Sequence, residues 1–195
     1  MTPRPAKPAT DKMATHVAFL RAINVGGHAQ VSMTALTGAF EAAGGVGVKT
    51  FLQSGNIAFK ARADAEGAAR AAIQRNIQTK LDELLGKDVV VIFRTLRELE
   101  NMLKADPFKD AANGQDVTLY VTLLAGKPRK PVKLPLDSPK DGLEIVHADK
   151  LDVFVVSRPV KGHHGYPNIL VEKTFGVPAT TRNWNTITRI VKHFS

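Results

Sequence analysis

Between residues 16 and 93 the hydrophobic pattern changes period in a fixed order, and that order restricts the available folds more than any other feature. His16-Val17-Ala18-Phe19-Leu20-Arg21-Ala22-Ile23 is a short, mostly apolar run ended by Asn24 and two glycines, which predicts a buried strand. Ser32 then caps a helix in which Met33, Leu36, Phe40 and Ala43 recur at helical spacing, and Gly44-Gly45 stops it. Val48, Thr50 and Leu52 alternate with Lys49, Phe51 and Gln53 before Ser54-Gly55-Asn56 turns the chain into Ile57-Ala58-Phe59-Lys60, a hairpin. From Asp64 to Leu85, residues Ala69, Ile73, Ile77, Leu81 and Leu84 line one helical face, and the β-branched run Val89-Val90-Val91-Ile92-Phe93 follows. Strand, helix, two-strand hairpin, helix and strand form the split βαβ order of ferredoxin-like domains.

The remainder reads as a degraded second copy. Thr95-Leu96-Arg97-Glu98 is a capping box opening a helix that runs to Ala105. Val117–Leu124 is a strand, a Pro-punctuated basic loop over 126–142 stands where a helix would complete the repeat, and Leu143–His147 with Leu151–Val156 forms a hairpin. Two short helices are expected to end the chain. The predicted class is α+β, two ferredoxin-like halves packed together: a disordered leader at 1–14, a first half at 15–94, a helical connection at 95–115 and a second half at 116–195.

Composition narrows the chemistry. With 195 residues, 44% of them hydrophobic, the chain suits one compact domain or two small ones. Cysteine is absent, which excludes disulfides, thiolate zinc sites and a cysteine nucleophile. His163-His164 with His28 lack the spacing of metal ligands, so no metal and no cofactor are expected. No apolar stretch approaches the roughly 18 residues of a membrane span, and the Pro-rich start has no apolar run of a secretory signal; a cytoplasmic location without a membrane partner is the expectation. The net charge is +9, concentrated as about +2 in residues 1–12, about +4 in 127–140 and about +4 in 161–195. Such a distribution attracts phosphorylated ligands or polyanions, although Lys127, Arg129, Lys130, Lys133 and Lys140 also make an ordinary solvated loop.

Three polar segments stand out. Asn24-Val25-Gly26-Gly27-His28 lies between a strand and a capped helix, where amides and paired glycines suit close approach of an anion. It matches neither a dinucleotide-binding fingerprint nor a P-loop, and a tight turn explains it equally well. Gln53-Ser54-Gly55-Asn56 closes its hairpin and adds an amide the turn does not need. Ala179-Thr180-Thr181-Arg182-Asn183-Trp184-Asn185-Thr186 contains the only Trp. There Thr180 or Thr181 is expected to cap a helix whose buried stripe is Trp184, Ile187, Ile190, Val191 and Phe194. Arg182 and Asn183 then fall in its first turn, where an Arg opposes the helix dipole unless it meets an anion or a carboxylate such as Glu41 or Asp64.

With these residues in place, the chain resembles a bacterial family of uncharacterised proteins, domain-of-unknown-function family 1697. The family is similar in an opening L-R-G-I-N-V-G-G, a Q-S-G-N turn and a closing T-T-R-N-W-N-T. Here these are Leu20-Arg21-Ala22-Ile23-Asn24-Val25-Gly26-Gly27, Gln53-Ser54-Gly55-Asn56 and Thr180-Thr181-Arg182-Asn183-Trp184-Asn185-Thr186. The resemblance covers residues 16–194 and implies an α+β fold of two ferredoxin-like parts, with no established activity. Ala22 departs from the usual Gly, and Lys161–Asn168 differs from relatives that more often carry Ser and Lys.

The functional expectation is a small anionic or phosphorylated ligand in a Gly-lined cleft formed by Arg21, Asn24, Gly26, Gly27, Gln53, Ser54, Asn56, Arg182 and Asn183. Arg21 and Arg182 would meet the anion, the Gly amides would cradle it, and the Asn and Gln side chains would orient it. Whether a reaction follows is not specified by any triad or carboxylate pair. A second reading is a nucleic-acid-binding module, against which stand an aromatic content of 6% and no strand bearing paired aromatics. A third makes the motifs purely structural, locking two halves or the subunits of a homo-oligomer together.

Overall fold

The computed structural model describes residues 12–21, 23, 31–52, 54–63, 68–86, 89–111 and 116–195. Its first half follows the predicted order: β1 (Lys12–Leu20), α1 (Met33–Ala42), β2 (Val46–Phe51), β3 (Asn56–Ala63), α2 (Ala68–Leu85) and β4 (Val91–Thr95). The strands form an antiparallel sheet ordered β2-β3-β1-β4. Ser32 caps α1 by accepting from the Ala35 amide. Strand β1 begins at Lys12, so residues 12–14 are paired strand rather than part of the expected leader. Strand β4 ends two residues later than expected, at Thr95. The Thr95 hydroxyl and the Glu98 carboxylate then close the capping box of α3 (Leu96–Lys104).

In the second half, β5 (Thr118–Leu124) is followed by the predicted basic loop, which holds a short edge strand β6 (Leu136–Ser138) and a 3-10 turn at Pro139–Asp141. The predicted hairpin is β7 (Leu143–Asp149) and β8 (Asp152–Ser157). The chain then departs from expectation. Between α4 (Asn168–Phe175) and α5 (Trp184–Phe194) lies a strand, β9 (Ala179–Asn183), paired antiparallel to β5. Thr180 and Thr181 are therefore strand residues, and Asn183 is the cap, accepting from the Asn185 amide. Thr suits both a helix cap and a strand, and the neighbouring β5, unseen in the local pattern, decides for the strand.

The second sheet is ordered β6-β7-β8-β5-β9. Without β6 it repeats the first, with β7, β8, β5 and β9 standing where β2, β3, β1 and β4 stand. The register agrees at single residues: Phe19 pairs with Asn56 and Val17 with Arg94 in one sheet, Leu123 with Asp152 and Val121 with Arg182 in the other.

Alternation along the strands distributes the core over three clusters. Ala18, Leu20, Ile57 and Phe59 face α1 and α2, with Leu36, Phe40, Ile77 and Leu81 packed on them. Val17, Phe19, Ala58 and Ile92 face the other way and share one central cluster with Val121, Leu123, Phe154 and Val156 of the second sheet. Helices α3 and α5 contribute Leu99, Met102, Ile187 and Ile190 to that cluster, and Trp184 packs against Phe108 and Phe154 as a core residue. The outer face of the second sheet packs on α4 through Val153, Val155, Val171 and Phe175. Each such side chain contributes about 1.5–3 kcal/mol on burial, so the shared central cluster ties the halves together.

Candidate functional site

The site grows from the edge where β1 ends, β3 begins and β9 passes into α5. Arg182 lies in β9, not in a helical first turn, and is only 8% exposed. A strand side chain stands perpendicular to its sheet, and this one reaches the other half of the molecule. Its Nε donates to Asn56 Oδ1 at 2.6 Å, and its Nη2 donates to the Leu20 carbonyl at 2.9 Å and the Ser54 carbonyl at 3.1 Å. Its Nη1 donates to Thr180 Oγ1 and the Thr181 carbonyl, both at 2.8 Å. The guanidinium carries five N–H groups, and these five bonds use them all. It also lies 5.6 Å from the centroid of the Phe19 ring.

The acceptors are all neutral. Of the expected carboxylate partners, Glu41 is an exposed residue of α1 and does not serve; Asp64 lies outside the described residues. Burial in this uncompensated setting pushes the Arg182 guanidinium down to about 10, so it stays charged at neutral pH.

Asn56 is 1% exposed and joins the turn to the arginine. Its Nδ2 donates to the Phe51 carbonyl and to Ser54 Oγ, leaving Oδ1 for Arg182. Gly55 holds the turn at φ +72, and a Cβ there would lie 3.1 Å from the Leu20 Cβ. The strand end and the turn thus approach at a distance that favours glycine. Arg21 is not a free anion contact, because it donates to Glu172 Oε2 on α4 at 3.0 Å, with 40% of its side chain exposed. Glu172 Oε1 accepts from the Ala179 amide, fixing α4 to the start of β9. The structure therefore brings together Ser54, Asn56 and Arg182, while the Arg21 side chain is held on Glu172 of α4 and that of Asn183 caps α5. Asn24, Gly26, Gly27 and Gln53 lie outside the described residues.

Sequence reasoning missed a matching constellation at the other end. Arg94 in β4 is 4% exposed and donates through Nε to Asp152 Oδ1 at 2.9 Å, through Nη1 to the Phe93 carbonyl at 2.8 Å and through Nη2 to the Leu151 carbonyl at 2.9 Å. A longer contact of 3.4 Å runs from Nη2 to the Leu124 carbonyl. These partners occupy the same places as those of Arg182: the preceding carbonyl, the first residue of the inner hairpin strand, the turn before it and the end of the central strand. A signal existed in the sequence, since Arg94 directly precedes the cap Thr95 as Arg182 precedes the cap Asn183. The Arg94 end opens on a cleft of about 250 Å³ that includes Arg70, Glu98, His147 and Asp152. Burial raises the Asp152 carboxyl despite Arg94 beside it, whereas the Thr95 amide and Arg70 hold Glu98 below the usual range against its own burial.

His163 and His164 are exposed, with His164 Nδ1 lying 3.3 Å from Ser157 Oγ. Among the described residues no group of three His, Cys, Asp or Glu is placed to hold a metal ion, and no helix is long and apolar enough to cross a membrane.

Among solved structures the chain is similar to the conserved bacterial protein SP0830 from Streptococcus pneumoniae, at 20% identity and a TM-score of 0.60 over 94% of this chain and 100% of that one. At that identity the likeness concerns the fold. No curated protein matches the chain. A family model described as a protein of unknown function, DUF1697, matches residues 13–154. The chain belongs to that family.

Proposed function

We propose that this DUF1697 protein binds a small anionic or phosphorylated ligand at the edge formed by the end of β1, the Ser54-Gly55 turn and the β9–α5 junction. The observation that carries this reading is that, among the described residues, no carboxylate is paired with Arg182. Arg94 and Arg182 occupy matching places, but Arg94 has Asp152 and Arg182 has Asn56. A buried cation without a counter-ion is costly, and the Asp152 arrangement is evidence that a carboxylate can be built into such a place. The positive charge left at Arg182, with the α5 N-terminus directly after it, favours an anion near this edge.

Arg182 acts in this reading through its field rather than by direct bonds, since its five donors are occupied. Ser54 and Asn183, with the exposed part of Arg21 that its bond to Glu172 leaves over, would supply contacts, together with Asn24, Gly26, Gly27 and Gln53, which lie outside the described residues. We further read both halves as ferredoxin-like, one over 15–94 and the other over 116–195 with its first helix replaced by the basic loop. The matching strand orders and registers support that division.

The test is a titration with inorganic phosphate, a sugar phosphate and a nucleoside monophosphate, followed by calorimetry and melting temperature. At least one should bind the wild-type chain, and Asn56→Asp should weaken it about tenfold or more through a counter-charge built into the protein. Absence of any response, or equal affinity in Asn56→Asp, would remove the anion reading. A purely structural reading is favoured by the saturation of Arg182, and it would then stand alone.

A further inference from the structure

The two halves differ most on their outer faces. On the first sheet, the connection from β1 to β2 contains α1, which packs Leu36 and Phe40 beside α2. On the second sheet, the equivalent connection from β5 to β7 carries Pro128, Pro131, Pro135 and Pro139, and prolines at that density do not permit a helix interior. Among the described residues, helix α4 therefore has no partner helix on this face. Between it and the loop lies a cleft of about 820 Å³, a size suited to a small molecule.

The cleft has an apolar floor and a cationic rim. Val132, Leu136, Leu143 and Leu170 form the floor, and all four belong to the core of this face. Lys130, Lys133, Lys140 and Lys173 are exposed around it, and the one carboxylate among the lining residues, Asp141, is engaged by Ser138 Oγ at 2.6 Å. Ile169 and Tyr166 stand at the rim with 78% and 59% of their surface exposed. One side is held close to the body of the fold. A Cβ on Gly165 would collide with the Asp141 carbonyl oxygen, and one on Gly142, at φ +64, with the Arg158 carbonyl oxygen. Tyr166 is anchored by its hydroxyl, which donates to the Thr181 carbonyl at 3.1 Å.

An apolar trough ringed by four cations and one occupied carboxylate has a definite chemical complement. We infer that this cleft binds a small amphipathic organic anion: an acyl or alkyl body lying on the leucine floor, with a carboxylate or phosphate headgroup among the lysines. The cleft adjoins the Arg182 edge through the Thr181 carbonyl, which accepts from both Tyr166 and Arg182, but its lining is its own and its ligand differs in requiring an apolar body.

The experiment titrates the full chain with decanoate and decyl phosphate below their micelle concentrations. Decanol, decyltrimethylammonium and inorganic phosphate serve as comparison probes, read by calorimetry and by amide chemical shifts. Both decyl anions should bind and shift the amides of Leu136, Ile169 and Leu170. Decanol and inorganic phosphate should each bind about tenfold or more weakly, and the cation not at all. A preference for decyl phosphate would assign the headgroup as phosphate, and equal binding would assign any anion of this shape. The double variant Lys133→Glu, Lys173→Glu changes exposed residues only, so it should keep the melting temperature while raising Kd about tenfold or more. The inference is overturned if neither decyl anion binds, if the shifts map elsewhere, if the cation or inorganic phosphate binds as tightly, or if the double variant binds like wild type.

Discussion

Arg94 and Arg182 stand at the two ends of the same molecule in the same topological position, and among the described residues only Arg94 has a counter-ion. Each lies in the last strand of its half, one residue before a helix cap, and each donates across the central core to the opposite half. The arginines thus interlock the halves reciprocally, which explains why a strand residue so rich in donors is buried twice. The difference shows that the interlock itself does not require a carboxylate: carbonyl, hydroxyl and amide oxygens saturate Arg182. Asp152 adds charge neutrality at one end, and Asn56 leaves the other end cationic.

The most severe way to break the comparison is to delete either arginine. Arg182→Ala removes the buried donor of the Leu20 and Ser54 carbonyls and of the Asn56 amide oxygen, and Arg94→Ala additionally leaves Asp152 without its cation. Both should destabilise by about 3–5 kcal/mol, the cost of breaking a buried charged network from one side, with Arg94→Ala the larger. Urea unfolding would check this. A loss below about 1 kcal/mol for either variant would mean that the arginine removed contributes little to holding the halves together.

A milder change makes the two ends alike. Asp152→Asn keeps an oxygen for Arg94 Nε and removes the charge. Because burial raises the Asp152 carboxyl even beside Arg94, folding disfavours its ionised form on balance, so the loss comes from weakening the charge-assisted hydrogen bond to Arg94 and should be only about 1–2 kcal/mol. Equal stability of wild type and Asp152→Asn would show that counter-charge is irrelevant at the Arg94 end. The contrast with Arg182 would then carry no functional meaning.

The first half was legible in the sequence because its signals are local: a cap at Ser32, a turn at Ser54-Gly55 and a clean helical stripe through Ile73, Ile77 and Leu81. The basic loop and the β7–β8 hairpin were legible for the same reason. Strand β9 was not, since Ala179-Thr180-Thr181-Arg182-Asn183 has the composition of a helix start and becomes a strand only by pairing with β5, about sixty positions earlier. The site was legible in part. Its motifs named Asn56 and Arg182, which do meet, but the roles of Glu172, Arg94 and Asp152 depend on contacts between halves that no local pattern encodes. Comparing the two halves with each other would have located Arg94, because the Arg-before-cap order occurs in both.

The smallest expected effect also comes from paired positions. His16 precedes Val17 in β1 as Tyr120 precedes Val121 in β5. His16 is 2% exposed, stacks on Phe59 at 5.6 Å, and its Nε2 has no hydrogen-bond partner. Burial lowers its pKa, Arg70 nearby lowers it further, and Glu98 opposes them. Tyr120 is instead raised by burial and by Tyr166, and stays neutral through the physiological range. The sign for His16 follows from proton uptake. Below its ordinary value of 6.5 the unfolded chain takes a proton that the folded chain refuses, so stability is present above that pH and is lost as pH falls through it. One proton limits the slope to about 1.4 kcal/mol per pH unit. Replacing His16 with Phe keeps the ring against Phe59, removes the orphaned nitrogen and gives this β1 position a neutral ring, as Tyr120 supplies in β5. Urea midpoints measured at pH 7.5 and 5.5 should converge in His16→Phe relative to wild type. An unchanged difference between the two pH values would place the titrating group elsewhere and leave the buried His16 without energetic consequence.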